Sequence, residues 1–175
     1  ADELATIVYT SGSTGRPKGV MLSFHNMAFA AVGGTQVLGV GADERMLSYL
    51  PLAHVFERTF VELGSLYSGF QLFFAESLDT FVQDLQRAQP TLFLSVPRLW
   101  VKFQHGVLQK VPLLNKVIKK KVLKGLGLNK VKLAGSGSAP LSNDVLDWYR
   151  NLGLELLEGY GMSENFAYSH MKKPG

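Results

Sequence analysis

A polar loop near the start of the chain, residues 10–19, is the sequence feature that most constrains the fold. It reads Thr-Ser-Gly-Ser-Thr-Gly-Arg-Pro-Lys-Gly and lies between two short runs of bulky apolar residues, 5–9 and 20–22. Such runs are typical of strands, so the loop is expected to connect two strands. Glycines let a backbone approach a ligand closely, while hydroxyls, amide N–H groups and the ammonium of Lys18 attract anions. The loop is therefore predicted to bind phosphate.

The order of residues in this loop differs from the commonest phosphate loop. The P-loop of NTPases has Gly directly before its Lys and Ser or Thr directly after it. Here Pro17 and Gly19 occupy those two positions. Because a proline disfavours helical backbone in the residue before it, the loop is expected to continue into a strand. The alternative from composition alone is an ordinary Gly/Ser/Thr linker.

Downstream of this loop, short apolar runs alternate with segments of helical periodicity, and the connections are short. The predicted strands are residues 5–9, 20–22, 46–50, 71–74, 91–96, 131–134 and 154–158. The predicted helices are residues 24–31, 54–67, 80–89, 98–126 with a break near Pro112, and 142–152. This alternation predicts an α/β fold with a mostly parallel sheet that is covered by helices on both faces.

Local signals refine these elements. Ser23 and Ser142 precede helical segments and are predicted N-caps. Gly33 and Gly34 are expected to kink or end the first helix. Buried positions are predicted along strand 71–74 and at Val55, Val61, Leu63, Leu66, Phe81, Val82 and Leu85.

Three loops are predicted to follow the carboxyl ends of strands, namely residues 51–54, 135–140 and 159–164. Ligands of parallel α/β sheets bind at such ends, so these loops are expected to converge on one site. Residues 159–164 read Gly-Tyr-Gly-Met-Ser-Glu, in which a ring between two glycines can stack on a base. Their carboxylate can hold Mg²⁺, which prefers oxygen ligands. The alternative is a tight turn with a surface acid.

These stretches are similar to the motifs of the adenylate-forming, AMP-binding superfamily, which includes acyl-CoA synthetases, luciferases and adenylation domains of peptide synthetases. Residues 7–18 resemble its phosphate signature, and residues 159–164 resemble its Tyr-Gly-x-Thr-Glu motif, with Ser163 in place of threonine. Residues 135–140, Gly-Ser-Gly-Ser-Ala-Pro, resemble a loop that lines the adenine pocket. Residues 50–58, Leu-Pro-Leu-Ala-His-Val-Phe-Glu-Arg, look most like long-chain acyl-CoA synthetases.

The resemblance implies ATP-dependent activation of a long-chain fatty acid. The acid would first form an acyl-adenylate, and the acyl group would then be transferred to CoA. The implied cofactors and co-substrates are ATP, Mg²⁺ and CoA. The implied phosphate-binding residues are Thr10, Ser11, Gly12, Ser13, Thr14, Gly15 and Lys18. The implied adenine-binding residues are Ser138, Ala139, Pro140, Gly159, Tyr160, Gly161, Met162 and Ser163. Glu164 and Thr10 would hold the metal. His54 would line the junction of acyl chain and phosphate, and the implied catalytic residues are Lys18, His54 and Glu164.

The resemblance covers nearly all of this chain but only part of a typical family member. Residues 1–175 are therefore expected to be a single fragment of the large N-terminal AMP-binding domain, without the C-terminal domain that carries the family's catalytic lysine. The fragment is expected to be inactive alone. Its expected partners are the fatty acid, ATP, CoA and the remainder of the parent chain.

Composition is that of a folded protein, with 46% hydrophobic and 18% charged residues, and the lack of cysteine excludes disulfides. Residues 85–143 contain eleven Lys and Arg and no Asp or Glu. The centre of this basic block is Lys116, Lys119, Lys120, Lys121 and Lys124. The block is interpreted either as a solvated helix face or as a peripheral contact with anionic lipid. A cytoplasmic location is expected, with membrane association only under the second interpretation of this block, and nucleic acid is not an expected partner.

Three other functions are compatible with the sequence. The first is another adenylate-forming ligase, such as an aryl-CoA ligase or a peptide-synthetase adenylation domain. The second is a non-catalytic nucleotide- or membrane-binding module. The third is a serine hydrolase that uses Ser163, because residues 161–165 match Gly-x-Ser-x-Gly except at the last glycine. His25, His105 and His170 show no spacing typical of a metal site.

Overall fold

The computed structural model describes residues 2–11, 15–111 and 116–173. The chain begins with a hairpin in which β1 (Leu4–Thr10) pairs antiparallel with β2 (Lys18–Ser23). Both predicted strands around the phosphate loop are therefore present, and Thr10 pairs with Lys18 where the loop leaves the hairpin. The predicted phosphate-binding residues Gly12, Ser13 and Thr14 lie outside the described residues.

Six strands form the central sheet in the spatial order β4-β3-β5-β6-β7-β8. These strands are β3 (Arg45–Ser48), β4 (Gln71–Phe74), β5 (Leu92–Ser95), β6 (Leu133–Ser136), β7 (Leu156–Tyr160) and β8 (His170–Met171). Strands β3 to β7 run parallel to their neighbours, and β8 runs antiparallel to β7. The predicted α/β fold with a mostly parallel sheet is confirmed.

Helices connect these strands. They are α1 (Phe24–Leu38), a π-helical segment (Glu57–Leu63) that continues into α2 (Gly64–Ser68), α3 (Phe81–Ala88), α4 (Pro97–Leu108), α5 (Lys116–Gly125), α6 (Asn143–Leu152) and a single 3₁₀ turn (Ser163–Asn165). None of the helices in the described part of the chain is long and apolar enough to cross a bilayer.

The helices bury both faces of the sheet. Side chains alternate along a strand, so Phe93 of β5 packs with α3, α4 and α6 on one face. Leu92 and Leu94 point to the other face, where they pack with Phe60 of the π-helical segment and Leu38 of α1. A third cluster joins the hairpin to α1 and to the turn after β7. The sheet thus separates two apolar layers, as the alternating pattern predicted.

The predicted cap at Ser23 is confirmed in detail. Its Oγ accepts the backbone N–H of Asn26 at 3.2 Å, and the Asn26 side chain accepts the backbone N–H of Ser23 at 3.0 Å. This reciprocal pair is a capping box. Ser142 occupies the N-cap position of α6 but makes no capping side-chain hydrogen bond.

The prediction that Gly33 and Gly34 end α1 is wrong, because α1 continues to Leu38. Both glycines are sites of close packing. A Cβ at Gly34 would lie 2.6 Å from a ring carbon of Phe60, and a Cβ at Gly33 would lie 2.7 Å from the ring of Tyr168. The two glycines let α1 approach its neighbours, which local sequence does not reveal.

Three predicted burial positions are also wrong. Strand β4 lies at the edge of the sheet, and its Phe74 is 74% exposed. Leu66 is 78% exposed because it follows a π-helical segment, whose wider turns shift the buried face away from α-helical spacing. Val82 is 38% exposed, since α3 turns Phe81 and Leu85 toward the sheet instead.

Strands β6 and β7 both lie two residues later in the chain than predicted. The apolar residues that suggested the earlier starts, Val131 and Leu154, pack against the core from the preceding turns. Gly135 and Gly159 consequently belong to strands, and the ligand-facing loops begin after them.

The packing role of Gly34 predicts an unusual response to alanine. Alanine normally stabilises a helix interior relative to glycine by about 0.5–1 kcal/mol. We expect Gly34→Ala to destabilise the protein by about 1–3 kcal/mol, because Phe60 is buried and the added methyl overpacks this contact. Urea unfolding of the protein measures the change.

Gly106→Ala in α4 is the matched control. A Cβ there meets nothing within 4 Å, so this substitution should stabilise the protein. Equal stabilisation by both substitutions would contradict the packing role of Gly34.

Candidate functional site

The loops that follow β3, β6 and β7 converge on one pocket, which we call the inner pocket. Its mouth is formed by His54, Ser138, Glu158, Gly159 and Gly161. Its deeper walls are apolar and consist of Leu38, Phe60, Leu94, Leu133 and Leu157. The spatial convergence predicted from strand order is present, and it combines a polar mouth with an apolar interior.

A second, shallower space opens beside this mouth, and we call it the outer cleft. Ser138, Ala139 and Pro140 form one side, and Gly159 to Gly161, with the 58% exposed ring of Tyr160, form the other. His170 lies beside Tyr160, with a distance of 6.1 Å between the ring centroids. The outer cleft therefore brings together most of the residues predicted to hold adenine. The two remaining ones, Met162 and Ser163, begin the turn that carries Glu164 and do not line the cleft.

The turn after Tyr160 is held by the segment that follows the first of the three loops. The Thr59 hydroxyl is fully buried and shares its proton between the carbonyl oxygens of Phe166, at 2.7 Å, and Val55, at 2.8 Å. Phe166 and Ala167 both have positive φ, at 53° and 61°. Backbone of this kind in non-glycine residues costs free energy and is kept where surrounding contacts enforce it.

Gly161 is required by this turn. A Cβ at Gly161 would lie 2.5 Å from the carbonyl oxygen of Ala167, which is a backbone atom that cannot move aside easily. A side chain at this position would therefore push Gly161 and Ala167 apart. This would open the wall that the inner pocket and the outer cleft share.

Glu158 is a site residue that the sequence reasoning missed. Its carboxylate accepts the backbone N–H of Leu141 at 3.2 Å and pairs with the Lys172 ammonium at 3.1 Å. The Leu141 hydrogen bond, with help from Lys172, holds the pKa of Glu158 below its usual value. Glu158 thus fixes the end of the Ser138–Ala139–Pro140 loop. The available signal was an acid at the end of an otherwise apolar strand.

Glu57 anchors the loop that presents His54. Its side chain is 1% exposed, and it accepts hydrogen bonds from the Ser48 hydroxyl and from the backbone N–H groups of Leu50 and Tyr49. Burial nevertheless raises the pKa of Glu57. The sequence motif identified Glu57 only as part of a family pattern, whereas the structure shows a buried carboxylate that closes the end of β3.

His54 stands at the mouth of the inner pocket as an uncharged ring. Burial lowers the pKa of His54, so the imidazole is neutral at neutral pH. Its Nδ1 atom is buried and has no hydrogen-bond partner among the described residues. A neutral imidazole with one free nitrogen can donate to or accept from a ligand without adding charge.

Lys18 and Glu164 belong to neighbouring elements. Strand β2, which begins at Lys18, packs against the 3₁₀ turn that carries Glu164. Leu22 of β2 and Phe166 share one apolar cluster, and this contact holds the hairpin against the turn. Thr10 lies opposite Lys18, and both Lys18 and Glu164 are exposed. Strand β2 of the hairpin and the acidic turn are therefore packed side by side.

A family model described as "AMP-binding enzyme" matches residues 1–174. The chain belongs to the AMP-binding enzyme family. It is 32% identical to the peroxisomal acyl-CoA ligase 891 of Penicillium brevicompactum, over 95% of this chain and 29% of that ligase. It is also 32% identical to the peroxisomal long chain acyl-CoA synthetase 7 of Arabidopsis thaliana, over 93% of this chain and 27% of that enzyme.

A solved AMP-binding enzyme supports the same assignment. The chain is similar to the A domain of the carboxylic acid reductase from Segniliparus rugosus, solved with AMP and a co-purified carboxylic acid. The TM-score is 0.75 at 30% identity, over 93% of this chain and 28% of that one. The chain thus spans less than a third of the length of these relatives. The resemblance drawn from the motifs is confirmed.

The geometry of this AMP-binding chain also bears on the hydrolase alternative. A hydrolase nucleophile of the Gly-x-Ser-x-Gly type sits on a sharp turn from strand to helix. Ser163 instead begins a 3₁₀ turn three residues after β7 ends at Tyr160. The local backbone therefore disfavours Ser163 as a nucleophile of that type.

The buried Glu57 predicts a pH-dependent stability. Its pKa is raised in the folded state, so its contribution to folding is complete below the unfolded pKa and is lost as pH rises through the folded value. Glu57→Gln lacks this titration. We expect the stability advantage of the wild type over Glu57→Gln to shrink as pH rises from about 4 to about 8.

Urea unfolding of the two proteins across this pH range measures the difference. The matched control is Glu155→Gln, which makes the same chemical change at an exposed position. A wild-type advantage that grows with pH would show that Glu57 is held as a favourable charge.

Proposed function

We propose that this chain is the nucleotide- and acid-binding part of a ligase that activates a long-chain fatty acid with ATP and transfers the acyl group to CoA. One observation carries the proposal. The inner pocket and the outer cleft share the wall formed by Ser138, Glu158, Gly159 and Gly161. An apolar acid in one space and a nucleotide in the other would meet at this wall.

The nucleotide would occupy the outer cleft and extend toward the hairpin. We propose that adenine lies between Tyr160 and the loop 138–140, where small side chains leave room for a flat base. The phosphates would lie at the loop 10–15 and Lys18, where backbone N–H groups, hydroxyls and the ammonium attract anions. The AMP bound in the Segniliparus rugosus domain supports a nucleotide site in this fold.

Mg²⁺ fits this arrangement as an ion held largely by the substrate. It typically takes one or two protein carboxylates and completes its shell with water and phosphate oxygens. Among residues 2–11, 15–111 and 116–173, no three His, Asp or Glu side chains gather into a ready-made metal site. We propose that Glu164 and the Thr10 hydroxyl would hold the ion, which would offset the charge of the phosphates.

The acyl chain would occupy the inner pocket. Four of its wall residues, Leu38, Phe60, Leu94 and Leu133, also line a smaller apolar cavity that continues toward Val40, Met46 and Phe70. The two cavities have volumes of about 80 Å³ and 10 Å³ and lead away from the mouth between apolar walls, so a long chain would enter only as these wall side chains move apart. The ligase and synthetase names of the relatives support the same substrate class.

The proposed reaction has two steps. The carboxylate oxygen of the acid attacks the α-phosphorus of ATP, the bond to the leaving phosphate breaks, and acyl-adenylate and pyrophosphate form. The thiolate sulfur of CoA, whose proton has passed to solvent, then attacks the acyl carbonyl carbon, and AMP leaves with the electrons of the broken carbon–oxygen bond. Because two anions must meet in the first step, Lys18 and the loop amides would act by positioning and by offsetting charge. Neutral His54 would donate a hydrogen bond to the carboxylate. A charged imidazolium in its place would make the carboxylate a weaker nucleophile.

A second candidate is an adenylating enzyme with a different acyl acceptor. The likeness to the carboxylic acid reductase domain, at 30% identity, favours it about as strongly as the ligase names favour CoA. The same site would serve both functions up to the acyl-adenylate. Product analysis with and without CoA separates the two candidates. A cytoplasmic location with peripheral membrane contact through residues 116–124 belongs to the same proposal.

The role of Glu164 can be tested by replacing its charge alone. We expect Glu164→Gln to lower ATP–pyrophosphate exchange by the full-length enzyme about 10- to 100-fold, because a metal ligand is lost. Raising the Mg²⁺ concentration should restore part of the rate. Glu155→Gln, at an exposed position just before β7, is the control and should exchange normally. Undiminished exchange by Glu164→Gln would remove Glu164 from the metal site.

The length of the acyl path can be tested at Leu38, which lines both connected cavities. We expect Leu38→Trp to lower kcat/KM for palmitate relative to octanoate at least about tenfold, because the larger ring blocks the inner end of the path. Retained activity on octanoate would show that the variant folds. Gln36→Trp, on the exposed side of the same helix, is the control. If the ratio of kcat/KM for palmitate to that for octanoate is unchanged, the acyl chain does not bind along Leu38.

A further inference from the structure

A large apolar groove lies on the other face of the sheet, between α3, α4 and α5. Its apolar walls include Leu78, Val82, Leu99, Phe103, Val107 and Val122. Phe103 belongs to the cluster around Phe93, whereas the inner pocket belongs to the cluster around Leu94, so the sheet separates the two spaces. The groove has a volume of about 800 Å³, which lies within the range of small-molecule sites.

The charges along this groove have one sign. Arg98, Lys102 and Lys110 line it, and no acidic side chain does so among the residues that the structure describes. Arg98 and Lys102 are one helical turn apart on α4, and Leu99 and Phe103 follow them at the same spacing. Helix α4 therefore presents a cationic ridge next to an apolar ridge.

The groove contains room that the fold leaves unfilled. Gly106 of α4 and Gly125 at the end of α5 both line it, and a Cβ at either position would meet nothing within 4 Å. Beyond the groove, Lys120, Lys121 and Lys124 of α5 are exposed and add positive potential that attracts anions. An apolar trough with a purely cationic rim matches a molecule with one long apolar tail and one anionic head.

We propose that this groove binds a free long-chain carboxylate, as a second fatty-acid site that is separate from the inner pocket. The tail would lie along Leu99, Phe103 and Val107, and the carboxylate would face Lys102 and Arg98. The concave walls, the unfilled volume and the charge of the rim support this site, which contains none of the proposed catalytic residues. The site would therefore remain even if the proposed ligase reaction were wrong.

Photolabelling locates the bound acid directly. The full-length enzyme is irradiated with palmitate that carries a diazirine in its tail, and the labelled peptides are identified by mass spectrometry. We expect labels on α3 and α4, in addition to any labels on the walls of the inner pocket. Gly106→Leu should reduce the α3 and α4 labels at least tenfold, because the leucine fills open space in the groove.

This variant is expected to fold, since its Cβ meets no atom and leucine favours a helix over glycine. His105→Leu, at an exposed neighbouring position outside the groove, is the control and should be labelled normally. The labels on the inner pocket should be unchanged in both variants. Labels confined to the inner pocket in the wild type would overturn the proposal.

The charge of the rim is tested separately. We expect the palmitate concentration for half-maximal α4 labelling to rise about two- to fivefold for each of Arg98→Gln and Lys102→Gln, as for exposed ion pairs. Lys130→Gln, outside the groove, should have no effect. Equal labelling by the uncharged diazirine alcohol would refute a carboxylate site. If labelling of α4 by palmitate required anionic vesicles, the groove would be a membrane-docking surface, and this result would also refute the carboxylate site.

Discussion

The site depends on one buried hydrogen bond, from the Thr59 hydroxyl to the carbonyl oxygen of Phe166. Thr59 lies on the segment after the His54 loop, and Phe166 lies on the turn after Tyr160, so the bond joins two of the three converging loops. It also satisfies a carbonyl oxygen in a left-handed turn, where an unpaired buried group would cost about 1–3 kcal/mol. Gly161 closes against the same turn, so this bond helps to hold the wall between the inner pocket and the outer cleft.

Two carboxylates hold loops of the site in place, Glu57 under the His54 loop and Glu158 at the end of the loop 138–140, and their pKa values shift in opposite directions. Glu57 is buried under β3, where the loss of solvation outweighs its three hydrogen-bond donors and raises its pKa. Glu158 is only partly buried, and the Leu141 N–H and Lys172 keep its pKa low. Burial thus governs the first carboxylate and favourable partners govern the second. The mouth of the inner pocket keeps a charged acid at Glu158, whereas Glu57 lies behind the neutral His54 and shapes the loop from beneath.

The sequence revealed the features that depend on local patterns, such as the hairpin around Lys18, the alternation that builds a parallel sheet, and the loops that meet at its carboxyl edge. These follow from periodicity and chain order, which are local or topological. The packing of Gly34 on Phe60 and the anchoring role of Glu158 depend on partners from distant segments, and no single window of sequence contains both partners. The π-helical segment shifted Leu66 out of the core for a similar reason, because its extra width is set by tertiary packing and not by residue spacing.

The two apolar spaces lie on opposite faces of the central sheet, and their openings differ in charge. This difference bears on the function proposed for each space. The mouth of the inner pocket contains Glu158 and Lys172 together, and the proposed nucleotide would add further negative charge. A free carboxylate entering there would meet mixed charge, and it would therefore gain little from electrostatics until the proposed Mg²⁺ ion and Lys18 offset the phosphates. The groove beside α4 has cations and no acid along its described walls, so a carboxylate gains there without any co-substrate. On this reasoning the proposed groove site would hold the acid before ATP binds, whereas the proposed site in the inner pocket would hold it most favourably once ATP and its metal ion were in place.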